Sequence, residues 1–204
     1  EDDVELLVIK PGQLIPVDCD LVLLPGSKST MADLQFLKEQ GWDIDILAHH
    51  RRGGRVMGIC GGYQMLGAAI DDPLGIEGPA GNSKGLNLLD MQTTLRAEKQ
   101  LRQVNGYFHG RKIPVQGYEI HLGETTGAAL SRPLLQIEGS DNGAVSEDGQ
   151  VMGCYLHGLF DLPEALTHML AWAGLHTETG VDYTQMREQG INLLADTLEN
   201  HFDF

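Results

Sequence analysis

Arg55-Val56-Met57-Gly58-Ile59-Cys60-Gly61-Gly62-Tyr63-Gln64-Met65-Leu66-Gly67 decides how the chain folds. Arg55–Ile59 is an apolar run of strand length, and residues 62–70 carry the spacing of an apolar helix. Between them lies Gly58-x-Cys60-x-Gly62, the thiol form of a nucleophile elbow. Such a strand-to-helix turn strains the backbone of its central residue, and only small neighbours two positions away leave it room. Gly58 and Gly62 fill those positions. The following helix should aim free N–H groups at the sulfur, which predicts a Cys60 pKa drawn from ~8.5 towards ~3.5–7.5. A buried cysteine in a glycine-rich turn is the plainer reading. The strand before and the helix after favour the elbow.

Outward from the elbow, apolar runs alternate with helical patterns, as in βαβ units with a parallel sheet. Residues 4–9 and Leu21–Leu24 are predicted strands, the second closed by Pro25-Gly26. Ser29 or Thr30 should cap a helix reaching about Gln40. A second helix covers residues 43–52, with His49 and His50 read as cationic groups at its negative end rather than as metal ligands. Residues 71–149 are rich in Gly, Pro and Asn. Strands at 91–103, 115–122 and 134–138, with Asn105-Gly106 as a hairpin turn, predict an antiparallel extension of the same domain. Residues 151–156 form another buried strand, and Pro163 opens a helix. A last helix covers 182–201, with Ile191, Leu194, Ala195, Leu198 and Phe202 on its apolar face. The fold class is therefore α/β, a mostly parallel sheet flanked by helices, as a single domain over residues 1–204.

Composition narrows the function. The 204 residues carry 14 Lys and Arg against 29 Asp and Glu, a formal charge of −15 that recommends neither nucleic acid nor an anionic membrane as partner. No apolar run approaches the ~18 residues of a membrane span, and Glu1-Asp2-Asp3 does not open a signal peptide. A cytoplasmic location is expected. Cys19, Cys60 and Cys154 lack C-x-x-C spacing, so no disulfide framework and no metal site is expected.

A thiol nucleophile needs a base, and His157 directly follows the strand Val151-Met152-Gly153-Cys154-Tyr155-Leu156. In a parallel sheet that places it on the same carboxyl edge as the elbow. Alone it reads equally as a core histidine; beside the elbow, Cys–His acyl transfer is favoured. Pro25-Gly26-Ser27-Lys28-Ser29-Thr30 misses the spacing of a phosphate loop, because Lys28 does not directly follow Gly26. Its N–H groups, with that of Gly61, are better read as an oxyanion hole.

These motifs together resemble the class I glutamine amidotransferases. The resemblance rests on the Gly58-to-Gly67 segment, on Leu24-Pro25-Gly26-Ser27-Lys28-Ser29 and on Tyr155-Leu156-His157-Gly158-Leu159-Phe160. Gly117-Tyr118-Glu119-Ile120-His121-Leu122-Gly123 is similar to the signature of the cobyric acid synthase branch. The resemblance implies a flavodoxin-like fold and a Cys60 that attacks the glutamine side-chain amide, forms a glutamyl thioester and releases ammonia, with His157 as base. It implies Gly26, Ser27, Gly61 and Gln64 around the oxyanion and substrate, and Glu119 and His121 in the glutamine pocket, on a docking face or in a structural role. It further implies an ATP-dependent synthetase domain as partner, carrying Mg-ATP and the corrinoid whose carboxylates are amidated, and no cofactor here. On this reading the chain lacks both that synthetase domain and the family's first strand. Many class I enzymes carry Glu two residues after the histidine, where Leu159 stands. The site is then a dyad, or Asp161 or Glu119 orients His157. A glutaminase subunit of a related system, such as lipid II amidation, or a non-amidotransferase cysteine hydrolase is the alternative.

Overall fold

A computed structural model describes residues 3–176 and 183–201. The chain opens β1 (Leu21–Leu24), α1 (Thr30–Glu39), α2 (Trp42–Arg51), β2 (Arg55–Ile59) and α3 (Gly61–Met65). It continues through β3 (Ala69–Asp72), β4 (Gly81–Lys84), β5 (Gln92–Phe108), β6 (Pro114–Thr126), β7 (Leu135–Ile137), β8 (Ser140–Asn142) and β9 (Ala144–Val145). β10 (Val151–Cys154), β11 (Leu156–His157), α4 (Pro163–Ala173) and α5 (Tyr183–His201) complete it.

Two sheets share these strands. The first runs β1-β2-β10-β9, with β1, β2 and β10 parallel and β9 antiparallel. Its strands are continuous apolar runs because helices cover a parallel sheet, and Val56, Met57, Val151 and Met152 are all buried. The second sheet runs β11-β6-β5-β3-β4, dominated by the long antiparallel pair β5–β6. The anticipated antiparallel extension is thus a sheet of its own, joined to the first by a buried cluster in which Val104, Phe108, Val115, Leu135 and Leu156 pack with Met57 and Met152. Tyr155 links the two, since β10 belongs to the first sheet and β11 to the second.

Several sequence readings are corrected. Residues 4–9 form no strand; Leu6 and Val8 lie exposed without a pairing partner, so their alternation has nothing to bury against. The helix expected over 62–70 stops at Met65, and Ala69–Asp72 instead pairs parallel with β5. Ala68 N–H donates to the Met91 carbonyl at 2.7 Å, drawing the chain out of helix into the second sheet. Asn105-Gly106 lies inside β5 rather than in a turn. Gly106 is there for close approach: a Cβ would fall 2.1 Å from the Gln136 carbonyl oxygen of β7. His49 is a core histidine and not a cap, its Nε2 hydrogen-bonded to the Arg55 carbonyl at 2.9 Å and its Nδ1 3.6 Å from Cys19 Sγ. Ile191, Leu194 and Leu198 of α5 are exposed rather than packed. Asp182 and Phe202 lie outside the described residues. Among the described residues, no helix is long and apolar enough to cross a membrane.

Candidate active site

Three parallel strands deliver three loops to one rim. β1 ends in Pro25-Gly26, β2 in Cys60, and β10 leads through Tyr155 into His157. Cys60 has φ 52° and ψ −113°, a conformation that costs a non-glycine residue about 1–3 kcal/mol and persists only where surroundings enforce it. Here the enforcement is visible. Cys60 N–H donates to the Cys154 carbonyl at 2.9 Å, Gly62 N–H to the Pro25 carbonyl at 3.1 Å, and Gln64 N–H to the Cys60 carbonyl at 3.1 Å. A Cβ on Gly62 would stand 2.1 Å from the Leu24 carbonyl oxygen, and one on Gly58 2.5 Å from that of Gly62. The elbow therefore needs glycine at both places.

Gly26 lies between the two proposed reactive side chains. A Cβ built on it would meet His157 Cε1 at 3.2 Å and Cys60 Cβ at 3.6 Å. His157 Nε2 is buried without a hydrogen-bond partner, and burial lowers the imidazole pKa below 6.5. A neutral ring with a buried, unengaged nitrogen is suited to accepting a proton.

The thiol departs from expectation. Burial raises the Cys60 pKa above its ordinary 9.0; the Gly61 N–H lowers it in part, and the charge of Glu77 adds to the rise. One short helix does not outweigh desolvation here. The Sγ–H donates to the Ile120 carbonyl of β6 at 3.3 Å, so the resting group is a thiol held by the second sheet.

The remaining sequence-predicted residues divide. Gly61 packs against Ser27, and a Cβ on it would lie 2.9 Å from the Ser27 nitrogen. The Ser27 hydroxyl is spent on Asp33 and on the Ser29 N–H, which shape the loop. Gln64 is buried and its side-chain amide donates to Tyr155 Oη at 3.3 Å. His121 stacks on Tyr155 with ring centroids 3.8 Å apart and its Nδ1 is 3.0 Å from the Gly123 carbonyl. Burial lowers its pKa as well. Glu119 is buried and accepts from Arg102 Nε at 2.8 Å and Asn142 Nδ2 at 2.5 Å. Its carboxylate is committed to a cross-strand ion pair, since Arg102 faces it in the β5–β6 register, and is not bonded to His157. Asp161 forms no hydrogen bond or ion pair with His157 either, and burial alone lowers the pKa of that imidazole. Leu159 is buried in the apolar cluster that the two sheets share.

Sequence reasoning missed Tyr118, which stacks on His157, and the Ile120 carbonyl that holds the thiol. It also missed Glu77, whose carboxylate accepts from the Thr30 N–H at 2.5 Å at the head of α1. A cavity of about 370 Å³ lined by Cys19, His49, Arg52 and Trp172 opens elsewhere, at the amino-terminal edge of β1 and β2. Among the described residues, no cluster of three or more potential metal ligands occurs.

A sequence-family model described as a CobB/CobQ-like glutamine amidotransferase domain matches residues 1–165. The chain is 50% identical over 203 residues to a cobyric acid synthase of Rhodobacter capsulatus, covering 100% of this chain and 42% of that protein. It therefore spans less than half the length of that relative. In structure it resembles a glutamine amidotransferase with TM-score 0.54 at 16% identity, over 76% of this chain and 80% of the other. It also resembles PurLQS of Thermotoga maritima with TM-score 0.51 at 18% identity, over 87% and 81%. At such identities these two matches speak to the fold alone.

Proposed function

Since the chain belongs to the CobB/CobQ-like glutamine amidotransferases, we propose that it releases ammonia from glutamine through a thioester on Cys60. The observation that carries the reading is the strained elbow of Cys60, set beside a buried imidazole nitrogen without a partner and separated from it by Gly26. In the proposed reaction His157 accepts the thiol proton, and Sγ attacks the carbonyl carbon of the side-chain amide. The oxyanion forms beside the backbone N–H groups of Gly26, Ser27 and Gly61, where one well-aimed donor is worth ~2.7–4 kcal/mol. His157 returns the proton to the departing nitrogen, releasing ammonia, and then draws a proton from the water that hydrolyses the thioester to glutamate.

The ammonia acceptor belongs to the same proposal. The 50% identity to a cobyric acid synthase, with the Gly117-to-Gly123 segment, favours ATP-dependent amidation of corrinoid carboxylates on a synthetase domain that binds Mg-ATP. Glutamate release measured with wild type, Cys60→Ser and His157→Ala tests the glutaminase step. Release by Cys60→Ser at the wild-type rate would remove the thioester from the mechanism. Corrinoid amidation with glutamine, but not with free ammonia, should fail in Cys60→Ser of the full-length protein.

A further inference from the structure

We propose that Tyr118 is a positioning residue for His157, its ring supplying the orientation that a carboxylate gives the histidine of a full triad. The inference rests on the glutaminase reading above. The two rings are stacked with centroids 4.8 Å apart and planes within 3°. They meet because Tyr118 of β6 pairs directly with His157 of β11. In an antiparallel pair, directly opposed residues place their side chains on one face of the sheet.

The neighbouring backbone fixes this pairing. Gly117 has φ 155°, and a Cβ there would lie 1.8 Å from the His157 carbonyl oxygen. Its missing side chain lets β11 come close enough for the rings to meet. The next glycine, Gly158, has φ 92°, so the chain leaves β11 immediately after His157 in a left-handed turn.

Among the described residues, no carboxylate interacts with the imidazole, whose Nε2 has no partner. The Glu119 carboxylate is held by Arg102 and Asn142. Leu159 is apolar and buried. Of the titratable groups around the ring, His121 on β6 stacks on Tyr155, and Cys60 bonds to the Ile120 carbonyl. Asp161 lies across Gly158, with Oδ2 3.0 Å from where a Cβ would be on that glycine. A parallel stack stops rotation of the imidazole about its Cβ–Cγ bond and keeps water off one face. Tyr118 itself is 47% exposed, so its ring is on the outside of the site and His157 on the inside. The hydroxyl plays no part in this role; the ring face does.

The test compares Tyr118→Phe and Tyr118→Thr in the full-length protein. Glutamate release gives kcat and KM, and the histidine resonance that disappears in His157→Ala follows the imidazole titration by NMR. Threonine keeps strand propensity and removes the ring, so the fold is preserved. Tyr118→Thr should lower kcat about tenfold to a hundredfold with KM within about threefold, as expected for a misplaced reacting group. It should also raise the titration midpoint of His157 towards the ordinary 6.5, and Tyr118→Phe should match wild type in both readouts. An unmoved midpoint with unchanged kcat in Tyr118→Thr overturns the assignment. So does a Tyr118→Phe as impaired as the threonine variant, which would pass the role to the hydroxyl. Absence of glutamate release from wild type, with the midpoint still raised in Tyr118→Thr, refutes the glutaminase reading and with it the catalytic role of the stack.

Discussion

Three cysteines in one chain differ in what surrounds each sulfur. Cys154 is wholly buried and its pKa is pushed up to about 12. Cys19 is partly exposed, but burial and the Asp18 and Asp20 carboxylates keep it a thiol. Cys60 is also held as a thiol, yet it alone has a strained backbone and a histidine on the same rim. In the proposed reaction its nucleophile therefore forms in the filled site, by proton transfer to His157, and not as a standing thiolate. Two outcomes are expected by mass spectrometry of digested protein. A glutamine-shaped electrophile, 6-diazo-5-oxo-norleucine, should label Cys60 and spare Cys19 and Cys154. Neutral iodoacetamide should react slowly with Cys60 at pH 7 and faster as pH rises past 9.0, because only the thiolate attacks. Rapid iodoacetamide labelling at pH 7 would restore the activated thiolate that the sequence suggested. His157→Ala should cut glutamate release by about 10²–10⁴-fold, the usual worth of a positioned acid–base group. His121→Ala should act mainly on KM, since its ring packs on Tyr155 beside Gln64 rather than on the thiol.

At the scale of elements, the elbow and strand β6 carry separable loads. Gly62→Ala would drive a methyl group to 2.1 Å from the Leu24 carbonyl oxygen, so β1 and α3 must part. A loss of about 1–3 kcal/mol is expected in urea denaturation, together with loss of glutamate release. Glu119→Ala should also destabilise, by about 1–3 kcal/mol, because Asn142 Nδ2 loses its acceptor beside a buried gap, while Arg102, half exposed, turns to water. Glu119→Gln should recover part of that stability, and where folded it should keep glutaminase activity, as the carboxylate does not touch His157. The rim made by β1, β2 and β10 was legible in the sequence because strand, glycine turn and nucleophile are contiguous in it. Residue spacing sets the bounds of β1 and β2, and Gly58 and Gly62 mark the elbow. β3 was hidden because local apolar spacing suits helix, and pairing with β4 and β5 decides for strand. Tyr118 and the Ile120 carbonyl were hidden for a related reason. Their roles depend on the register of β11 against β6 and on the approach of β6 to Cys60, which are long-range facts. No standing thiolate forms because desolvation at Cys60 outweighs the polarity of the five-residue helix α3.

Across the whole molecule, histidine burial sets how stability responds to pH. His49, His121, His157 and His168 are on different elements, and burial lowers each below the ordinary 6.5. In the unfolded chain all four regain that value, so below pH 6.5 the unfolded state binds more protons than the folded state. Stability is then fully present above 6.5 and is lost as pH falls towards the depressed folded values. Two effects oppose this. A chain of formal charge −15 repels itself, and acidification relieves that repulsion. Burial also raises the pKa of Glu77 and Asp161, which favours the folded state at low pH, from ordinary values of 4.5 and 3.8 upward. Salt separates the first effect, because exposed charges are screened beyond about 8 Å at 0.15 M ionic strength while buried imidazoles are not. The urea midpoint should therefore fall between pH 7.5 and 5.5 at 0.5 M salt, and fall less steeply at low salt. His168→Phe sharpens the point. His168 packs edge-on against Phe108 with centroids 4.6 Å apart, so a phenyl ring can take its place without carrying a titrating group. That variant should show a shallower midpoint-versus-pH slope with its midpoint at pH 7.5 little changed. A midpoint that rises on acidification at 0.5 M salt, in wild type and variant alike, would mean that the buried histidines do not govern the transition.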